Sequence, residues 1–147
     1  MVRWKKYLLF LPLLAACAST SSDPFVVEEQ GEFDARSERY AFRSNSTDVL
    51  ARLGTVIGFR YRYTLPEGQR PVPLTIVWRI PAPGYIKPTT RRTELATYSN
   101  QNCRPRSACG YQWRFDHPYE LVPGEWIAEV HLRNQKLGEV RFSVRVE

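Results

Sequence analysis

Gly54-Thr55-Val56-Ile57-Gly58-Phe59-Arg60-Tyr61-Arg62-Tyr63 decides the fold class. Ile57, Phe59, Tyr61 and Tyr63 share one phase of a two-residue period, and Arg60 and Arg62 take the other. Successive side chains of a strand point to opposite faces, so this stretch is a strand with one face buried and one in water. The pattern returns over residues 72–80, with Leu74, Ile76, Trp78 and Ile80 inward and Thr75 and Arg79 outward. Residues 110–115 place Tyr111, Trp113 and Phe115 on one face. Residues 125–132 send Trp126, Ala128, Val130 and Leu132 inward, with Glu129, His131 and Arg133 facing water. Residues 136–146 send Val140, Phe142, Val144 and Val146 inward, with Arg141, Ser143 and Arg145 outward.

Weaker strand patterns flank these. Residues 25–33 alternate imperfectly, 39–43 form a weak strand or a loop crossing, and 93–99 form a modest strand. Turn chemistry separates them at 44–48, 65–68 and 134–135, and Pro81, Pro83, Gly84 and Pro88 break the chain into an exposed loop. Beyond the N-terminal segment no stretch carries a 3.6-residue apolar stripe. Seven or eight short strands at this spacing predict an all-β chain: a single antiparallel β-sandwich, immunoglobulin-like, over residues 25–147. A small closed β-barrel is the runner-up.

The N-terminus has a different logic. Arg3, Lys5 and Lys6 precede an apolar run over 7–16 that closes on Leu14-Ala15-Ala16-Cys17. A basic end, a short apolar core and small residues at a cleavage point are the physical marks of a secretory signal. The run is about half the ~20 residues needed to span a bilayer. Cysteine directly after the small residues makes residues 1–16 resemble a bacterial lipoprotein signal peptide. That resemblance implies lipidation of Cys17, with palmitate the expected acyl chain, and a tether over 17–24. Several acyl chains hold a protein on a membrane firmly where one does so marginally. Ala18 stands where an inner-membrane retention signal would usually carry Asp, and resemblance to enterobacterial sorting rules then implies the outer membrane, facing the periplasm, as the expected address.

Loss of residues 1–16 leaves 131 residues, with eighteen Lys and Arg against fifteen Asp and Glu, a net +3. One domain of that length buries roughly two thirds of its unfolded surface without cofactors. The mild charge does not point to nucleic acid; it suits an envelope protein or an anionic envelope polymer as partner, beside the membrane itself. With Cys17 lipidated, Cys103 and Cys109 remain. An oxidising compartment favours a structural disulfide between them, which stabilises by about 2–2.5 kcal/mol on the chain-entropy model. Neither His117 nor His131 stands at zinc-ligand spacing from the pair, and a redox motif has two intervening residues where this one has five. No metal or cofactor is expected.

Trp113-Arg114-Phe115-Asp116-His117-Pro118-Tyr119-Glu120-Leu121-Val122-Pro123-Gly124-Glu125-Trp126 is the most distinctive run in the domain. It resembles the hallmark of a bacterial family, domain of unknown function 3859, over about residues 25–146. The resemblance implies a small β-rich domain closed by this corner and a final hairpin; the family brings no activity with it. Read from the residues, Pro123-Gly124 fixes the entry into a strand and the tryptophans fill a core. Asp116, Glu120 and His117 are the residues an enzyme acting on envelope glycans or peptides would use, but their spacing alone assembles no catalytic group. Arg60, Arg62, Arg79, Arg141 and Arg145 form a candidate binding surface if their strands are neighbours in one sheet. The expectation is a non-enzymatic, lipid-anchored binding or structural module. The alternatives are an envelope-acting enzyme or an inhibitor of a hydrolase.

Overall fold

The computed structural model describes residues 23–36 and 40–147. The expected signal peptide and Cys17 lie outside the described residues. In chain order the strands are β1 (Phe25–Asp34), β2 (Ala41–Ser44), β3 (Asp48–Ala51), β4 (Val56–Tyr63), β5 (Leu74–Arg79) and β6 (Tyr85–Lys87). They continue as β7 (Arg92–Glu94), β8 (Ala96–Gln101), β9 (Cys109–Arg114), β10 (Gly124–Leu132) and β11 (Gln135–Val146), with one 3-10 turn at Pro118–Glu120. No helix among the described residues is long and apolar enough to cross a membrane.

A four-stranded sheet in the order β2-β1-β4-β9 faces a five-stranded sheet in the order β3-β11-β10-β5-β8. The two are not joined into a cylinder, so the sandwich holds and the closed barrel does not. The inward phases read from the sequence meet between the sheets. Ile57, Phe59, Tyr61 and Tyr63 of β4 pack in one buried cluster with Leu74, Ile76 and Trp78 of β5, Trp126 and Val130 of β10, and Phe142 of β11. Burial of these aromatic and branched side chains is the main stabilising term, at about 25 cal/mol per Å² of apolar surface.

Four features depart from the sequence reading. Among the described residues eleven strands form rather than seven or eight, because β3, β6 and β7 have only three or four residues each, too few to show a period. β3 runs parallel to β11, so the sandwich is not wholly antiparallel. Alternation assigns side chains to faces but says nothing of a neighbour's direction, and residues 45–47 carry the chain from the edge of one sheet to the edge of the other. The 93–99 segment divides at Leu95 into β7 and β8. Finally, Tyr85, in the proline-rich loop expected to be exposed, is buried; its ring lies 5.4 Å from that of Tyr119 beside the corner.

Candidate functional site

The outer face of the five-stranded sheet holds the densest polar cluster. Its centre is Glu129 on β10, which the alternation places in water and which is only 6% exposed. This is a correction, and its cause lies in the neighbours. Glu129 stands opposite Val77 of β5 on one side and Glu139 of β11 on the other. Val77 is itself buried on this outer face, giving it an apolar floor. Arg79 caps the carboxylate with two bonds, Nε to Oε1 at 2.6 Å and Nη2 to Oε2 at 3.2 Å. His131 Nε2 lies 2.7 Å from Oε2; a carboxylate only accepts, so this ring nitrogen donates. The hydrogen bond from Arg79 holds the Glu129 carboxyl below its ordinary value against the opposing effect of burial, with His131 assisting.

Two carboxylates directly opposite across strands repel, and each here is taken up by its own cation. Glu139 accepts from Arg141 Nη2 at 2.8 Å and pairs with Lys136 at 3.0 Å, and both lower its pKa. Replacement Glu129→Gln should therefore destabilise by about 1–3 kcal/mol at neutral pH, through loss of a charge-assisted pair at a largely buried site. The carboxylate's folded pKa is depressed, so the stability it adds is full above its ordinary value of 4.5 and is lost as pH falls through the lower folded value. Urea denaturation should show the gap between wild type and Glu129→Gln closing below that pH. A gap constant down to the acid limit would mean that the pair contributes nothing.

The five arginines of the candidate surface do not form one strip. Arg60 and Arg62 belong to the four-stranded sheet, whereas Arg79, Arg141 and Arg145 belong to the other. Each is also neutralised. Arg60 meets Glu29 at 2.6 Å, Arg62 pairs with Glu28, Arg141 meets Glu125 at 2.6 Å and Arg145 meets Asp48 at 3.0 Å. Outward arginines were legible in the sequence; their carboxylate partners are set by cross-strand register, which was not.

The corner acids also have local partners. Glu120 Oε2 accepts the backbone N–H of Asp116 at 2.7 Å and of His117 at 2.9 Å. Asp116 pairs with Arg114 at 2.8 Å, and the His117 ring stacks on Tyr119 with centroids 5.0 Å apart. Each of these three side chains has a partner within the turn itself. Cys103 and Cys109 are joined by a disulfide with Cα atoms 6.1 Å apart. Gln101 fastens the base of this loop to the core: it accepts from Tyr61 Oη at 2.7 Å and donates to the Gly110 carbonyl at 2.6 Å. Among the described residues no group of three His, Cys, Asp or Glu side chains gathers to hold a metal.

One further feature was not singled out in the sequence. β8 is the outer strand of the five-stranded sheet and reads Ala96-Thr97-Tyr98-Ser99-Asn100-Gln101, with no charge and no proline. Tyr98 at its middle is 69% exposed, beside Arg79 on the same face. Sheet edges are ordinarily blunted by charge, bulges, proline or brevity. β2 and β3 have four residues each and carry Arg43 and Asp48, and β9 carries Arg114. β8 has none of these protections. The strand lies in an uncharged run over residues 95–103, but 71–78 and 80–86 are uncharged too, so only the topology shows that this one forms an edge.

No curated protein matches this chain. Among solved structures, it is similar to an immunoglobulin-like protein from Pseudomonas aeruginosa, at 28% identity and a TM-score of 0.65, over 84% of this chain and 94% of that one. A Pseudomonas fluorescens alkylpurine DNA glycosylase bound to abasic-site DNA matches at 14% identity and a TM-score of 0.43, over 85% of this chain and 31% of that one, too distant to bear on function. The sandwich is thus immunoglobulin-like, as its strand pattern implied. The model of the family described as Domain of unknown function (DUF3859) matches residues 23–144, and the chain belongs to that family.

Proposed function

We propose that this protein is a lipid-anchored component of the bacterial cell envelope whose domain is a binding module, docking an extended segment of a partner protein along β8. The observation that carries the reading is the open, uncharged edge with Tyr98 exposed at its centre. An edge strand offers a row of backbone donors and acceptors, and an added strand gains affinity from them and specificity from alternate side chains. Tyrosine and arginine are the side chains that interfaces favour, and Tyr98 and Arg79 supply one of each. Leu14-Ala15-Ala16-Cys17 supports the anchor, with Cys17 the lipidated residue and the periplasmic face of the outer membrane the location.

A photocrosslinking residue placed at Asn100, in membranes that contain the lipidated chain, should trap a partner that the same residue at Arg62 does not. The change Tyr98→Lys should weaken the adduct by about tenfold or more. Equal labelling from both positions would overturn the edge reading. The anchor is checked separately by the mass of the mature N-terminus, where an unmodified Cys17 would overturn the location and leave the edge untouched.

A further inference from the structure

We propose that the end of the sandwich from which the N-terminal segment departs is a cationic cap that seats on anionic lipid headgroups and so fixes the orientation of the domain on the membrane. The inference rests on the anchor reading above, and its first support is where the chain enters. Phe25 pairs with Tyr63, the last residue of β4, and the Thr64 N–H donates to the Pro24 carbonyl at 2.9 Å. The described chain therefore begins beside the β4 terminus. Residues 18–24 can span at most about 25 Å, so a lipid on Cys17 keeps this end of the domain the nearer one to the membrane.

Three connections meet at the same end. The disulfide loop is bound to it by the Arg106 N–H, which donates to the Tyr63 carbonyl at 2.8 Å, and by Tyr63 Oη, which donates to the Cys103 carbonyl at 2.7 Å. The β4–β5 connection and the β10–β11 turn are tied together by Arg133 Nη1, which donates to Gln69 Oε1 at 3.1 Å. The start of β5 aligns with the ends of β10 and β8, since Leu74 pairs with both Leu132 and Gln101. A depression of about 270 Å³ lies between Pro71, Pro73 and Arg104.

These connections carry Arg70, Arg104, Arg106 and Arg133, all exposed. None of the four is in an ion pair among the described residues, in contrast to every arginine of the two sheet faces discussed above. Two carboxylates share this end, Asp23 and Glu67, and Asp23 already accepts the Phe25 N–H at 3.1 Å. Four arginines against two acids leave an excess of positive charge on the face turned toward the anchor. An anionic surface attracts a basic side chain nearby by about fivefold in affinity per residue, within roughly a Debye length. Cations with no ion pair among the described residues also occur on the β6–β7 hairpin, at Lys87, Arg91 and Arg92; that hairpin joins β5 to β8 at their other end, where Arg79 pairs with Ala96, and supplies an internal control.

The test uses the full chain purified from membranes with its native N-terminus, placed on vesicles of phosphatidylcholine alone or of phosphatidylcholine mixed with phosphatidylglycerol. Hydrogen exchange over residues 66–73 and 102–108 should slow severalfold on the mixed vesicles only, and high salt should reverse it. The combined change Arg70→Gln, Arg104→Gln, Arg106→Gln and Arg133→Gln should abolish the protection while β4 and β10 exchange as before. The combined change Lys87→Gln, Arg91→Gln and Arg92→Gln should leave it intact. Equal exchange on the two vesicle types, or protection of the 87–92 hairpin instead, would overturn the proposal. Flotation on phosphatidylcholine alone reads the anchor. If the chain fails to float there, the Cys17 reading falls, and the cap then stands only if flotation on the mixed vesicles is salt-reversible and lost in the four-arginine variant.

Discussion

Replacing Trp126 by alanine is expected to destabilise the domain by about 3–5 kcal/mol, the range for truncating a large buried aromatic side chain. The indole is fully buried and stands between the Trp113 ring at 5.4 Å and the Phe115 ring at 5.2 Å. Those two residues come from β9 and its end in one sheet, and Trp126 from β10 in the other, so the cavity would open between the layers. The indole Nε1–H also donates to the buried Val122 carbonyl at 2.8 Å, which closes the corner ahead of β10. Trp126→Phe separates the two contributions. It keeps an aromatic ring in the cluster and leaves the Val122 carbonyl without its donor, at a cost of about 1–3 kcal/mol from that loss. Urea denaturation of the three proteins measures both. If alanine costs no more than phenylalanine, ring packing is not what joins the sheets here.

Gly31→Ala should be the next most damaging change, and it acts at the other side of the sandwich. Gly31 has φ +140°, which side chains rarely adopt, and a Cβ built there would stand 2.0 Å from the Ser44 backbone carbonyl oxygen. The backbone strain alone amounts to about 1–3 kcal/mol. The collision adds a separate effect: β2 must move off β1, which parts Phe42 from Phe33, whose rings now meet edge to face at 5.6 Å. Gly54→Ala is the comparison, since Gly54 has φ +88° but open space around a new Cβ. It should show strain without loss of an element. Hydrogen exchange of β2 accelerated in Gly31→Ala and unchanged in Gly54→Ala would confirm the division; equal behaviour would remove the collision as a cause.

These two residues show how unevenly the fold was legible. The inward role of Trp126 follows from period-two alternation with Ala128 and Val130, and the structure buries all three. Nothing local to Gly31 announces that another strand's carbonyl will lie against it. Glu129 illustrates the same limit on the chemical side. Its alternation phase is outward, as read, but outward in a five-stranded sheet still means walls on both sides, and Val77, Arg79 and His131 cover it. The phase of a residue is a property of its own strand. Its exposure depends on how many strands flank that strand, and central strands such as β10 are screened where edges such as β8 are not.

The sequence by itself determined the class of structure and made one covalent cross-link available. Alternation over β4, β5, β10 and β11 required a half-buried β layout, and two cysteines six residues apart allowed the disulfide that closes the 103–109 loop. Both are local, since a period and a short loop are contained in the chain's own order. Tertiary structure decided everything that depends on which strands become neighbours. It divided five outward arginines between two sheets and gave each a carboxylate, left β8 as an uncharged edge, and gathered at the end where the chain enters four arginines that have no ion pair among the described residues. Pairing partners lie tens of residues away in sequence, and charge is neutralised or left free only by what the fold brings within hydrogen-bond reach.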